Sequence, residues 1–215
     1  RTTNENGTTS GLTINLNPGT YIITATNPEN GEMHSNNITV VPTIITSNLV
    51  KYYRNGSQFV VKAVDHNGQG RYNQTVTFNI NGVFYTRTTD YNGSATLNIN
   101  LAALNGKETD YIITTECNGC TVSNTVTVLP VITGEDISIP YQSGGKYTVN
   151  VCDGQGRPEQ GVNISLNIHG VIYHRTSDIN GQASVNINLQ PGQYIVSAVR
   201  EDNGASTSNN INVFA

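Results

Sequence analysis

Four kinds of side chain in this 215-residue sequence could do chemistry, and their spacing narrows what each can do. Cys117-Asn118-Gly119-Cys120 is a CxxC pair, a spacing shared by redox centres and by half-sites for zinc. A redox pair is normally activated at a helix N-terminus, and a structural zinc site needs two further ligands. Neither context surrounds this pair. An Asn-Gly turn lies between the cysteines, so they flank a hairpin, and a disulfide stapling that hairpin is the preferred reading. Its loop is so short that the entropic gain is small, and adjacent strand positions strain its geometry. Cys152 is left over. Alternation with Tyr147, Val149 and Val151 places it on the opposite face of its strand, as a thiol beneath a loop or as an intermolecular link.

The histidines, His34, His66, His169 and His174, are scattered over hairpin, turn and strand positions. A catalytic triad or a metal cluster needs side chains that converge. No catalytic or metal-binding residue is therefore assigned, no cofactor is expected, and the chain reads as a non-enzyme. Asp65-His66-Asn67-Gly68 and Asp153-Gly154-Gln155-Gly156, with Asp90 and Asp178, carry oxygens suited to calcium. The same residues suit Asx turns, in which the carboxylate caps its own backbone, and that reading is preferred. N-glycosylation acceptors occur at Asn6, Asn37, Asn55, Asn73, Asn92 and Asn163, several of them in turns able to carry a glycan on an exported protein.

The elements that must hold these residues follow from composition and repetition. With 21 Gly, no Trp, 12% charged residues and an abundance of Asn, Thr, Ser, Val, Ile and Tyr, the chain favours strands joined by tight turns. Its net charge is −4 and the basic residues do not cluster, which argues against nucleic acid as a partner. No apolar run approaches the roughly 18 to 20 residues that cross a bilayer, so no membrane span is expected in this segment.

One motif recurs at residues 1, 87 and 175: Arg1-Thr2-Thr3-Asn4-Glu5-Asn6-Gly7, Arg87-Thr88-Thr89-Asp90-Tyr91-Asn92-Gly93 and Arg175-Thr176-Ser177-Asp178-Ile179-Asn180-Gly181. An apolar/polar alternation follows each time, at 12–16, 97–101 and 185–189, as expected of a strand with one buried face. Upstream, Asn81-Gly82 between two β-rich runs predicts a type I′ hairpin. The clearest copy reads as strands near 45–53, 57–65, 74–81, 83–89, 94–101, 110–117 and 121–128. Seven short antiparallel strands in under about a hundred residues match an immunoglobulin-like sandwich. The expected fold class is thus all-β, a tandem of immunoglobulin-like seven-stranded β-sandwich repeats. Tyr21 and Tyr194 should form tyrosine corners, and residues 105–110, inserted only in the middle copy, should form a longer surface loop. The expected division is 1–42, the last three strands of a repeat, followed by complete repeats at 43–130 and 131–215. Residues 1–42 expose an apolar face, so their missing strands should come from upstream chain or from a neighbouring chain by strand complementation.

Lys51-Tyr52-Tyr53-Arg54-Asn55-Gly56-Ser57-Gln58-Phe59-Val60-Val61-Lys62, Asn79-Ile80-Asn81-Gly82-Val83-Phe84-Tyr85, Thr89-Asp90-Tyr91-Asn92-Gly93 and Asn15-Leu16-Asn17-Pro18-Gly19-Thr20-Tyr21 occur in an order and spacing that resembles the bacterial-Ig-like repeats of adhesin-like surface proteins in methanogenic archaea. The resemblance covers nearly the whole chain and implies an extended extracellular stalk or filament at the cell surface, used for adhesion or envelope architecture. Its implied partners are other copies or upstream repeats of the same protein, and glycans or proteins of a host or neighbouring cell. The last copy departs from the pattern, with Ile139-Pro140-Tyr141-Gln142-Ser143-Gly144-Gly145 where the Lys-Tyr-Tyr segment stands, so a role for that Lys is not general. Two functions remain open on sequence. Each repeat is a spacer, stiffened by Val41-Pro42-Thr43 and Leu129-Pro130-Val131, or one repeat is a carbohydrate- or protein-binding module. The candidate tyrosines for the second, Tyr52, Tyr53, Tyr72 and Tyr91, are too dispersed in sequence to read as a platform.

Overall fold

The computed structural model describes residues 1–215, and apart from one 3-10 turn at Leu104–Gly106 its regular elements are all β-strands. Turn chemistry sets their boundaries. Asn81 and Gly82, with φ of 51° and 77°, and Asn118 and Gly119, with 51° and 79°, take the paired positive φ of type I′ turns. His169 stands in the Asn position of a third such turn, at φ 50° before Gly170.

After β1 (Gly19–Thr26) and β2 (Met33–Val40), the middle copy contains β3 (Ile44–Thr46), β4 (Leu49–Tyr52), β5 (Gln58–Ala63), β6 (Thr75–Ile80), β7 (Val83–Thr88), β8 (Ser94–Asn98), β9 (Thr109–Cys117) and β10 (Cys120–Leu129). They form two sheets, β3-β5-β8 and β4-β10-β9-β6-β7. The strand expected over 45–53 is broken, and its two halves pair in opposite sheets, β3 antiparallel to β5 and β4 parallel to β10. Asn48 sits at the crossing and accepts the Thr125 amide at 3.0 Å, which ties the switch to β10. The last copy repeats this plan with β11 (Ile132–Gly134), β12 (Ile137–Pro140), β13 (Lys146–Val151), β14 (Asn163–Ile168), β15 (Val171–Thr176), β16 (Gln182–Asn186), β17 (Gly192–Arg200) and β18 (Ser206–Phe214), in sheets β11-β13-β16 and β12-β18-β17-β14-β15. Both are immunoglobulin-like β-sandwiches.

Alternation fills each core. In the middle sandwich Phe59, Val61 and Leu97 of the smaller sheet meet Phe78, Ile113, Val126 and Val128 of the larger one, with Phe59 and Phe78 edge to face at 6.2 Å. In the last, Tyr147, Val149 and Val185 meet Leu166, Val196 and Ile211. Each fully buried aliphatic or aromatic side chain contributes about 1.5–3 kcal/mol. The Tyr147 hydroxyl reaches Asn209 at 2.7 Å, and burial pushes its pKa up to about 12. Tyrosine corners form as expected: Tyr21 donates to the Asn17 carbonyl at 2.8 Å and Tyr194 to Gln190 at 3.0 Å. Tyr111 does the same to Ala102, across the inserted loop.

Residues 1–42 differ from the expected three strands. Only β1 and β2 form, as an isolated antiparallel pair from Gly19↔Val40 to Thr26↔Met33. The alternating segment 12–16 is not a strand, and Leu12, Ile14 and Leu16 are exposed. Its counterpart β8 pairs only with β5, and β1–β2 has no equivalent of β5 beside it, so segment 12–16 has no backbone to bond. Limited proteolysis should therefore cut first within residues 1–18 and leave 43–215 intact by mass. Equal protection of residues 1–18 and the two sandwiches would contradict this account.

Candidate functional site

The sequence-predicted residues fall into separate places. Cys117 and Cys120 are directly opposed across the β9–β10 turn, and both thiols are free and buried against the middle core. Burial pushes the Cys117 thiol up. Cys152 is a half-buried thiol whose pKa is also raised by burial, and its sulfur faces the Pro130 carbonyl at 3.7 Å. The aspartates are all Asx-turn caps: Asp65 Oδ1 accepts the Asn67 and Gln69 amides, Asp153 those of Gln155 and Arg157, Asp90 those of Asn92 and Ser94, and Asp178 those of Asn180 and Gln182, all at 2.8–3.0 Å. Their oxygens face their own turns, and no group of three or more His, Cys, Asp or Glu side chains is placed to hold a metal.

Two constellations are invisible in the sequence. His174 lies beside Glu201 at 2.8 Å and Ser165 at 3.2 Å. The order Ser-His-Glu suggests a triad, but the same imidazole nitrogen, Nδ1, faces both partners, so it cannot accept from the serine while donating to the carboxylate. The cluster is an exposed polar contact, and its hydrogen bonds from Ser165 and His174 hold the Glu201 carboxyl below its usual range. The second constellation centres on Arg200, whose side chain is 3% exposed. Desolvation works against its charge, yet the hydrogen bonds it donates to Asp202 and Glu159 outweigh it and raise its pKa. Its guanidinium also donates to the carbonyls of Val131 and Cys152 at 3.3 and 2.7 Å. It thereby fixes the start of the last sandwich to two of its loops. Its sister position in β9 is Cys117, so repeat comparison gives no hint of it.

The most developed site is the joint between the two sandwiches. Two loops at the exit end of the middle one dock on the entry end of the last. From the turn after β4, Asn55 donates to the Gly154 carbonyl at 2.5 Å, and the Tyr52 ring lies where a side chain at Gly156 would stand, 2.4 Å from an added Cβ. From the inserted segment 105–110, Asn105 at φ 51° accepts the Ser208 amide at 2.6 Å. Gly106, at φ +64°, fits so closely that an added Cβ would come within 2.5 Å of Thr207 Oγ1. The insertion expected as a free surface loop is thus a docking element. Tyr52 and Tyr53 pack against the core of the last sandwich rather than facing a ligand.

Lys51 ties the end of the turn after β4 to the segment that follows β8. It is 5% exposed, and its ammonium donates to the Ser57 and Ile99 carbonyls, each at 2.9 Å. Burial without a carboxylate lowers its pKa. In the last sandwich Ile139 replaces it, and the Ile187 amide bonds the Gly145 carbonyl directly. The entry end of the middle sandwich is different again: Val40–Thr46 with Val64, Asp65, His66 and Gly68 line an open cleft of 630 Å³. The tyrosines judged dispersed also divide here, because Tyr72 and Tyr91 are stacked with centroids 4.2 Å apart.

No family model matches the sequence and no curated relative does. Among solved structures the chain is similar to invasin, a bacterial integrin-binding protein, at 19% identity and TM-score 0.37 over 81% of this chain and 39% of that one. It is also similar to a chimeric titin Z1Z2 tandem, at 14% identity and TM-score 0.36 over 81% of this chain and all of the other, and to domains 4–9 of the surface layer protein SbsC, at 15% identity and TM-score 0.30 over 92% and 35%. The chain spans well under half the length of the invasin structure.

Two outcomes follow from the ion pairs and caps. Replacing Arg200→Met orphans the Cys152 carbonyl and leaves Glu159 and Asp202 without their cation, and should cost about 2 kcal/mol, read as a fall of about 10 °C in the Tm of the last sandwich. Backbone hydrogen bonds lower the Asp65 and Asp153 carboxyls, and a backbone bond from Asn210 lowers Asp136. Folded values below unfolded ones stabilise the protein above the unfolded pKa and lose that contribution as pH falls through the folded pKa. The Tm should therefore fall progressively below about pH 4. A Tm constant down to pH 2 would contradict these caps.

Proposed function

We propose that this chain is a structural and adhesive module of a cell surface, extracellular and non-enzymatic, in which immunoglobulin-like repeats stack end to end as a stalk or filament. The observation that carries this reading is the joint, where Asn55, Tyr52, Asn105 and Gly106 of one sandwich fit the entry end of the next. A spacer needs such fixed ends, whereas a catalyst needs convergent reactive groups that the joint does not contain. In this reading the chain divides into an incomplete repeat at 1–42 and whole repeats at 43–130 and 131–215. The apolar face of β1–β2 is covered by strands from preceding chain or from a neighbouring molecule. The likeness to methanogen adhesin-like repeats supports an archaeal envelope as its setting.

The joint also ranks the modification sites. Asn55 commits its amide nitrogen to Gly154, so a glycan there is incompatible with docking. Asn6, Asn37, Asn73, Asn92 and Asn163 are exposed and can carry one. A Cys117–Cys120 disulfide would close the β9–β10 turn of an exported protein.

Brief trypsin treatment of intact source cells should release peptides of this chain. Release only after lysis would overturn the surface assignment. In the same digest, non-reduced peptides spanning 117–120 should be about two mass units lighter than reduced ones, and any hexose-spaced ladder should fall on the exposed sites. Glycan on Asn55 would contradict the joint.

A further inference from the structure

Tyr72 and Tyr91 are 52% and 81% exposed, yet their rings are parallel to within 3° and stacked at 4.2 Å. They come from different turns, one before β6 and one between β7 and β8. Those turns are locked together backbone to backbone. A Cβ on Gly70 would stand 2.0 Å from the Asn92 carbonyl oxygen, and one on Gly93 would stand 2.5 Å from that of Ala63. Thr89 Oγ1 accepts the Gln74 amide at 2.9 Å and donates to the Arg71 carbonyl at 2.6 Å. The Gln74 side chain in turn donates to the Tyr72 carbonyl and accepts from Asn118.

None of this locking requires the aromatic rings. The last sandwich builds the same pair of turns, with Ser177 accepting the Val162 amide and donating to Glu159, and with Gly181 packed on the Val151 carbonyl. There the tyrosine positions hold Gln160 and Ile179, and the counterpart of Tyr91 near the N-terminus is Glu5. A flat aromatic surface left in water on a preorganised frame is dispensable for the fold. Its exposed faces stand open to a ligand.

We infer that Tyr72 and Tyr91 form a carbohydrate-binding platform, on which the outer face of Tyr91 stacks against one pyranose ring and neighbouring side-chain amides read its hydroxyls. The rim is amide-rich: Asn73 and Asn92 are exposed, with Gln74 and Asn118 bonded to each other alongside. Of the charged neighbours, the Asp90 carboxylate is engaged in its own turn, and the exposed Arg71 beside Tyr72 can donate to a hydroxyl oxygen. Such a rim suits neutral hydroxyl groups, which both donate and accept, better than it suits a charged ligand. One ring gives modest affinity, which repetition along a surface multiplies. This inference stands independently of the stalk reading.

The test is an NMR titration of the ¹⁵N-labelled full chain with the hexasaccharides of chitin, cellulose, mannan and laminarin. At least one should shift amides at 71–74 and 89–94 selectively. Tyr91→Ile, which installs the residue the last sandwich uses, should preserve the spectrum elsewhere and weaken that binding about tenfold or more. The inference is overturned if no sugar moves these amides, if shifts map elsewhere, or if Tyr91→Ile binds equally well. It is equally overturned if a proline-rich peptide moves these amides and the sugars do not.

Discussion

Ile113 and Val126 are wholly buried because a second sheet, β3-β5-β8, faces the one that carries them. The same residue pattern appears in β1–β2, where Tyr21, Ile23, Ile38 and Val40 occupy the positions of Tyr111, Ile113, Val126 and Val128, and where no facing sheet exists. There the backbone ladder still forms and a tyrosine corner still closes, but none of the four side chains is fully buried. Local chemistry therefore makes the hairpin, and the sandwich is made by apolar area removed from water between two sheets. Everything else in the molecule, from the docking loops to the stacked tyrosines, is mounted on that closed pair of sheets.

The parts legible in the sequence are those fixed by short-range rules. Asn-Gly turns, two of the three tyrosine corners and the period-two cores follow from backbone preference and alternation, and Asn118-Gly119 marks its hairpin as plainly as Asn81-Gly82. The sheet switch at Asn48 was hidden because a strand changing sheets keeps its extended conformation and its apolar pattern. Residues 12–16 mislead for the opposite reason. Their alternation is faithful, but a strand exists only where another backbone accepts its hydrogen bonds.

What sequence reading missed lies in contacts between distant residues. Arg200 pairs with Glu159 across 41 positions, and Asn105 meets Ser208 across 103. Tyr72 and Tyr91 stand in turns that look unrelated until the Gly70 and Gly93 backbones bring them together. The middle copy's insertion was a visible signal, since an extra segment confined to one copy must serve something its sisters lack. Its use as a docking element depended on the partner surface at Thr207 and Ser208.

The joint links architecture to function. Lys51 ties the turn after β4 to the segment that follows β8 at the docking end of the middle sandwich, and Arg200 ties the linker to a loop of the receiving end. Between them Val131 is buried and its carbonyl is doubly engaged, by Arg200 and by the Cys152 amide, so the linker is part of the packing rather than a tether. The most direct test of this account is the measurement of backbone residual dipolar couplings over residues 43–215 in a weakly aligned sample. The account predicts that one alignment tensor fits the amides of both sandwiches. Two tensors of different magnitude, one for each sandwich, would show that they tumble separately and would contradict it.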